Sequence, residues 1–133
     1  MKLSFRLNGK AIALECEPAD TLAEVLRNTL NLNGTKVSCE VQVCGACTVL
    51  VDGVPVSACT YLAYEARDKN VTTIEGLEKS DGTLHPLQQA FIDEFAFQCG
   101  YCTPGMIMSA INLLDETPKP TEQQIREGIA GNF

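Results

Sequence analysis

The stretch that decides the fold runs Ser38-Cys39-Glu40-Val41-Gln42-Val43-Cys44-Gly45-Ala46-Cys47-Thr48-Val49-Leu50-Val51-Asp52-Gly53-Val54-Pro55-Val56-Ser57-Ala58-Cys59. Its cysteines fall as C-x4-C-x2-C with a fourth after eleven more residues, the plant-type ligand order of a [2Fe–2S] cluster. Two irons bridged by two sulfides need four thiolates arriving from different directions, which neither a regular helix nor a strand delivers. A loop does, and residues 36–46 show no clear apolar period. Gly45 and Ala46, small and permissive, are expected to let backbone N–H groups reach the sulfurs. The fourth ligand depends on register. Residues 47–51 and 54–59 are β-rich around Asp52-Gly53, a two-residue hairpin signal. Pairing Val51 with Val54 sets Cys47 opposite Ala58 and returns Cys59 within about one residue of the third ligand. Pro55 points to an edge strand or an altered turn.

Working outward, residues 2–7 alternate apolar and polar, Asn8-Gly9 supplies a type I′ turn, and residues 11–16 resume the alternation. Thr21 with Glu24 has the form of a capping box before a helix over 22–30, carrying Leu22, Val25, Leu26 and Leu30, and Gly34 is available for its stop. A strand over 71–74 closes a small α+β domain near residue 77. The period then becomes helical. After a polar linker over 78–84, Leu87, Phe91 and Phe95 form one stripe, and Met106, Ile107, Ala110, Ile111 and Leu114 form another. His85-Pro86 begins a helix, Thr103-Pro104 reads as N-cap and N1, and Thr121 with Gln124 repeats the capping box. Phe91, Phe95 and Phe97 are expected to be core or subunit contacts.

Composition bounds the function. Of 133 residues, 45% are apolar and 20% charged, enough to bury a core, and no apolar run approaches the roughly 18 residues of a membrane helix. Seventeen acidic against ten basic residues give a net charge of −7, a poor match to nucleic acid. Seven cysteines, an odd number, favour a metal or redox site in a reducing compartment over a disulfide framework. A zinc knuckle pairing Cys44/Cys47 with Cys99/Cys102 would leave Cys39 and Cys59 unexplained. Cys99-Gly100-Tyr101-Cys102 has helical flanks instead of the strand that precedes a thioredoxin-like dithiol, so it reads as half of a second metal site. Cys16 reads as a buried hydrophobe.

Gly34-Thr35-Lys36, Cys44-Gly45-Ala46-Cys47-Thr48-Val49, Thr73-Ile74-Glu75-Gly76-Leu77 and Gln98-Cys99-Gly100-Tyr101-Cys102-Thr103-Pro104-Gly105-Met106 resemble the small iron–sulfur subunit of the molybdenum hydroxylases. These are the xanthine dehydrogenase, aldehyde oxidoreductase and aerobic carbon monoxide dehydrogenase enzymes. The resemblance covers almost the whole chain. It implies an α+β architecture: a β-grasp ferredoxin-like domain over 1–77, then an α-helical bundle domain over 78–133. The cluster distal to molybdenum would use Cys39, Cys44, Cys47 and Cys59. The proximal cluster would take two ligands from Cys99 and Cys102 and two from a later C-x-C, expected where this sequence ends, so truncation there is the expectation. Gln98 resembles the glutamine that hydrogen-bonds the molybdopterin.

Two departures stand out. The family often has glycine where Ser38 and Gln42 stand here, so an altered loop conformation or altered sulfur hydrogen bonding is expected. The implied function is electron transfer in a cytoplasmic heterotrimer, from a molybdopterin-binding large subunit to a FAD-binding medium subunit or an external acceptor, with no catalytic residue in this chain. The rival readings are a free-standing, single-cluster ferredoxin-like carrier, whose docking the acidic surface would suit, and a zinc-stabilised scaffold.

Overall fold

In the computed structural model, which describes residues 1–133, the alternation of Lys2–Leu7 becomes strand β1, with Leu3, Phe5 and Leu7 buried. β2 (Lys10–Glu15) returns beside it through Asn8 (φ 50°) and Gly9 (φ 81°), the doubly left-handed turn the sequence calls for. The second hairpin is built alike. β3 (Thr48–Val51) and β4 (Val54–Ser57) flank Asp52 (φ 49°) and Gly53 (φ 80°), with Val51 opposite Val54. β5 (Asn70–Thr72) lies between the hairpins, parallel to β1 and antiparallel to β3, giving the order β2-β1-β5-β3-β4. Pro55 therefore lies on an edge strand. β5 is shorter than expected because Asn8 holds the next residue: its Oδ1 accepts from the Thr73 amide at 2.9 Å, and the chain leaves as a 3₁₀ turn at Ile74–Gly76.

The first helix departs from expectation in pitch. α1 (Leu22–Glu24) opens on the complete Thr21/Glu24 capping box, then continues as a π-helical turn over Val25–Thr29, with the Leu30 amide donating to the Val25 carbonyl at 3.0 Å. The wider turn still buries Leu22, Val25 and Leu26, so apolar spacing alone does not distinguish the two pitches. Its stop is Asn31 (φ 57°), not Gly34. Gly34 serves a close approach instead: its amide donates to Glu75 Oε1 at 2.7 Å, and a Cβ there would collide with Ile74.

The helical half covers the back of the sheet. α2 (Pro86–Asp93), α3 (Thr103–Glu116) and α4 (Glu122–Gly128) follow the turn at Ile74–Gly76. Val49 and Val51 of β3 face the main core with Leu3, Phe5, Leu22 and Leu26, while Leu50 points oppositely onto Ile107, Met108 and Ile111. That double coverage explains the uninterrupted buried run Thr48–Val51. His85 caps α2 as expected, its Nδ1 accepting from the Leu87 amide at 3.1 Å. Phe95 does not continue the Leu87–Phe91 stripe. α2 ends in a Schellman turn, in which the Ala96 amide donates to the Phe91 carbonyl at 2.9 Å, and Phe95 takes the left-handed position (φ 50°), 86% exposed. No helix is long and apolar enough to cross a membrane.

Candidate metal centres

Three left-handed residues shape the first cysteine loop: Glu40 (φ 56°), Gln42 (φ 60°) and Gly45 (φ 73°). They turn successive peptides inward, so the amides of Val43 and Cys44 each donate to Cys39 Sγ at 3.3 Å. These donors favour the thiolate and draw Cys39 down from 9.0 to about 6, the Cys44 amide contributing most. The amides of Val43 and Cys44 that reach Cys39 Sγ come immediately before Gly45-Ala46 in the chain. The Gly45 carbonyl instead accepts from Thr48 Oγ1 at 2.6 Å and Asn132 Nδ2 at 3.1 Å, and a Cβ on Gly45 would run into the Gly131 carbonyl.

Cys47 is 2% exposed, and burial pushes its thiol up to about 11, with the Cys59 and Cys44 thiols adding to the rise. The hairpin register carries through, with the Ala58 amide donating to the Cys47 carbonyl at 3.3 Å. The fourth cysteine is therefore delivered to the third. The N-terminus of α1 secures this turn: Ala23 donates to the Ala58 carbonyl at 3.0 Å and Leu22 to the Tyr61 carbonyl at 2.7 Å. The sequence offers a signal for that support only in the Thr21 capping box, which sets where the helix begins.

Cys39 interacts with Cys44, Cys44 with Cys47, and Cys47 with Cys59, so the four thiols form a connected row of neighbours. No three His, Cys, Asp or Glu side chains converge as ligands of a single ion do. A two-iron core shares four thiolates between two metals, and a row of four thiols with amide donors aimed at the first sulfur fits that core.

The second motif differs in every respect. Cys99 is exposed, Gly100 turns the chain at φ 83°, and Cys102 occupies the N-cap of α3 with no side-chain cap bond. Thr103 is thus the first helical residue and not the expected cap, because the Thr103 amide already closes a turn on the Gly100 carbonyl. Tyr101 donates its hydroxyl to the Val37 carbonyl, two residues before Cys39. Nothing in the spacing announces that bond. A Cβ at Gly105 would strike the Gly45 carbonyl, and the Phe133 amide donates to the Cys44 carbonyl at 2.8 Å, so the first turn of α3 and the last residue both press on the Cys44–Gly45 turn. Gln98 is exposed, and its side chain makes no hydrogen bond within the chain. Cys16, 5% exposed, packs in the main core far from ligand duty.

Comparison with known proteins agrees with this division. Residues 5–74 match the 2Fe-2S iron-sulfur cluster binding domain and residues 73–133 the [2Fe-2S] binding domain. A probable xanthine dehydrogenase subunit from Bacillus subtilis is 47% identical, over 99% of this chain and 76% of its own length. A nicotinate dehydrogenase subunit from Pseudomonas putida is also 47% identical, over 98% and 83%. Quinoline 2-oxidoreductase from Pseudomonas putida 86 superposes with a TM-score of 0.97 at 41% identity, over all of this chain and 82% of that one. The chain belongs to the small iron–sulfur subunits of the molybdenum hydroxylases. Subunits of this family serve multi-subunit oxidoreductases as electron-transfer components, alongside larger partner chains. In the aldehyde oxidoreductase of Desulfovibrio desulfuricans the same fold (TM-score 0.92, 44% identity, 97% of this chain) makes up 14% of one longer chain.

Proposed function

We propose that this iron–sulfur subunit holds its first [2Fe–2S] cluster on Cys39, Cys44, Cys47 and Cys59, and that Cys99 and Cys102 supply two ligands to a second. Such clusters accept and release single electrons. The assignment rests above all on the two amide donors to Cys39 Sγ, an arrangement that stabilises negative charge on sulfur. In this reading residues 1–77 and 78–133 are the two cluster-bearing domains, and the Cys44–Gly45 turn is their joint. Exposed Cys99 and unpartnered Gln98 face the molybdopterin of a large subunit, which hydroxylates an N-heterocycle or an aldehyde, the substrate classes carried in relatives' names. The electrons leave from the first loop to a FAD-bearing subunit. Seven free thiols support a cytoplasmic setting.

The test is iron and acid-labile sulfide per chain, with EPR of the dithionite-reduced complex. Four of each and two distinct rhombic signals are expected. Two of each and a single signal would overturn the second site.

A further inference from the structure

Gln42 stands in the left-handed region that favours glycine, at φ 60°. An L side chain adopts that region at a cost and persists there only where surrounding contacts impose it. Few contacts are present. Val41 and Val43 on either side are 65% and 57% exposed, so nothing packs over this arc. The only hydrogen bond by which residues 40–43 reach beyond the loop runs from Thr60 Oγ1 to Gln42 Oε1, at 3.1 Å. Thr60 directly follows Cys59. The bond therefore joins the arc between the first two ligands to the turn carrying the fourth.

We propose that Gln42 is a positioning residue for the first cluster. Its side chain, held by Thr60, closes the 39–47 loop against the Cys59 turn and keeps residue 42 left-handed, which aims the Val43 and Cys44 amides at Cys39 Sγ. Glycine at this position permits the same geometry without imposing it. Glutamine imposes it by a tether, so the loop of this chain is latched. The proposal rests on the ligand assignment above.

Its test uses the assembled complex, with the second cluster as internal reference. Thr60→Val keeps the branched shape and removes the donor. Loss of the first EPR signal to an iron chelator is expected to accelerate about fivefold, the worth of one hydrogen bond. The first cluster's potential should move to a more negative value as the amide donors loosen, while the second signal holds its rate and potential. Gln42→Ala should behave like Thr60→Val, and the double variant no worse than either alone. Gln42→Gly should retain the cluster better than Gln42→Ala, because φ 60° then costs nothing. Unchanged release and potential in Thr60→Val, or strictly additive effects in the double variant, would overturn the latch; so would Gln42→Gly releasing faster than Gln42→Ala. The ligand assignment fails separately, by a first signal that survives Cys44→Ser.

Discussion

The two cysteine motifs show opposite ways of presenting thiols. Between Cys39 and Cys59 the chain gathers four thiols with its own backbone: left-handed residues turn amides onto one sulfur, and a hairpin's register delivers the last cysteine to a buried third. Between Cys99 and Cys102 it offers an exposed thiol and a half-buried one leading into a helix N-terminus, steadied by the bond from Tyr101 to the Val37 carbonyl and by the packing of Gly105. The first motif takes its ligand geometry from its own hairpin and loop, with α1 and the helical half bracing its turns from outside. The second borrows its position from the first.

Single ligand replacements should separate the two most sharply. Cys44→Ser is expected to abolish the first EPR signal and leave the second, while Cys102→Ser does the reverse, with iron falling by half in each case. A loss of both signals from either variant would show that the sites are not independent.

The shared joint is the next place to break the contrast. Gly105→Ala drives a methyl group into the Gly45 carbonyl and should cost about 2 to 3 kcal/mol, read as a fall in the urea midpoint. Gly53→Ala has open space around the new Cβ and bears only the left-handed penalty of its turn, about 1 kcal/mol. Equal losses would mean that the Gly105 contact yields freely.

Within the first motif the contrast can be read by pH in the metal-free chain. Cys39 at about 6 is a thiolate at neutral pH, so its alkylation should be fast at pH 7 and decline as pH falls through 6, where the sulfur protonates. Cys47, raised to about 11 by burial, should stay unmodified until the fold opens. Labelling followed by peptide mass spectrometry checks both. For folding stability the signs are opposed: Cys39 contributes above its unfolded pKa and loses that contribution as pH falls through 6, whereas Cys47 contributes below its unfolded pKa and loses it as pH rises through 11.

The smallest effect belongs to Tyr101→Phe, which removes one hydroxyl bond worth about 1 kcal/mol. Hydrogen exchange across residues 94–102 should speed up severalfold with the first loop unaffected.

Much of the fold was legible because short-range chemistry encodes it. Asn8-Gly9 and Asp52-Gly53 demand doubly left-handed turns, and the second turn sets the register that brings Cys59 to Cys47. The Thr21 and Thr121 capping boxes lie where helices begin. The misses share a cause. The π turn at Val25–Thr29 keeps the apolar face that an α-helix would have, and Phe95 satisfies a helical period while the chain has already ended the helix beneath it. Gly34 and Gly45 look like freely turning residues, yet what each meets comes from tens of residues away.

By itself the sequence determined the order of the cysteines, the two hairpins and the change from strands to helices between residues 72 and 86, since spacing and turn chemistry act between near neighbours. Only the tertiary structure decided which amides face Cys39, that Thr60 reaches Gln42, and that Tyr101, Gly105 and Phe133 all meet the first loop. Those contacts join residues far apart in the chain. They exist because β3 buries both of its faces and so draws the helical half onto the back of the sheet.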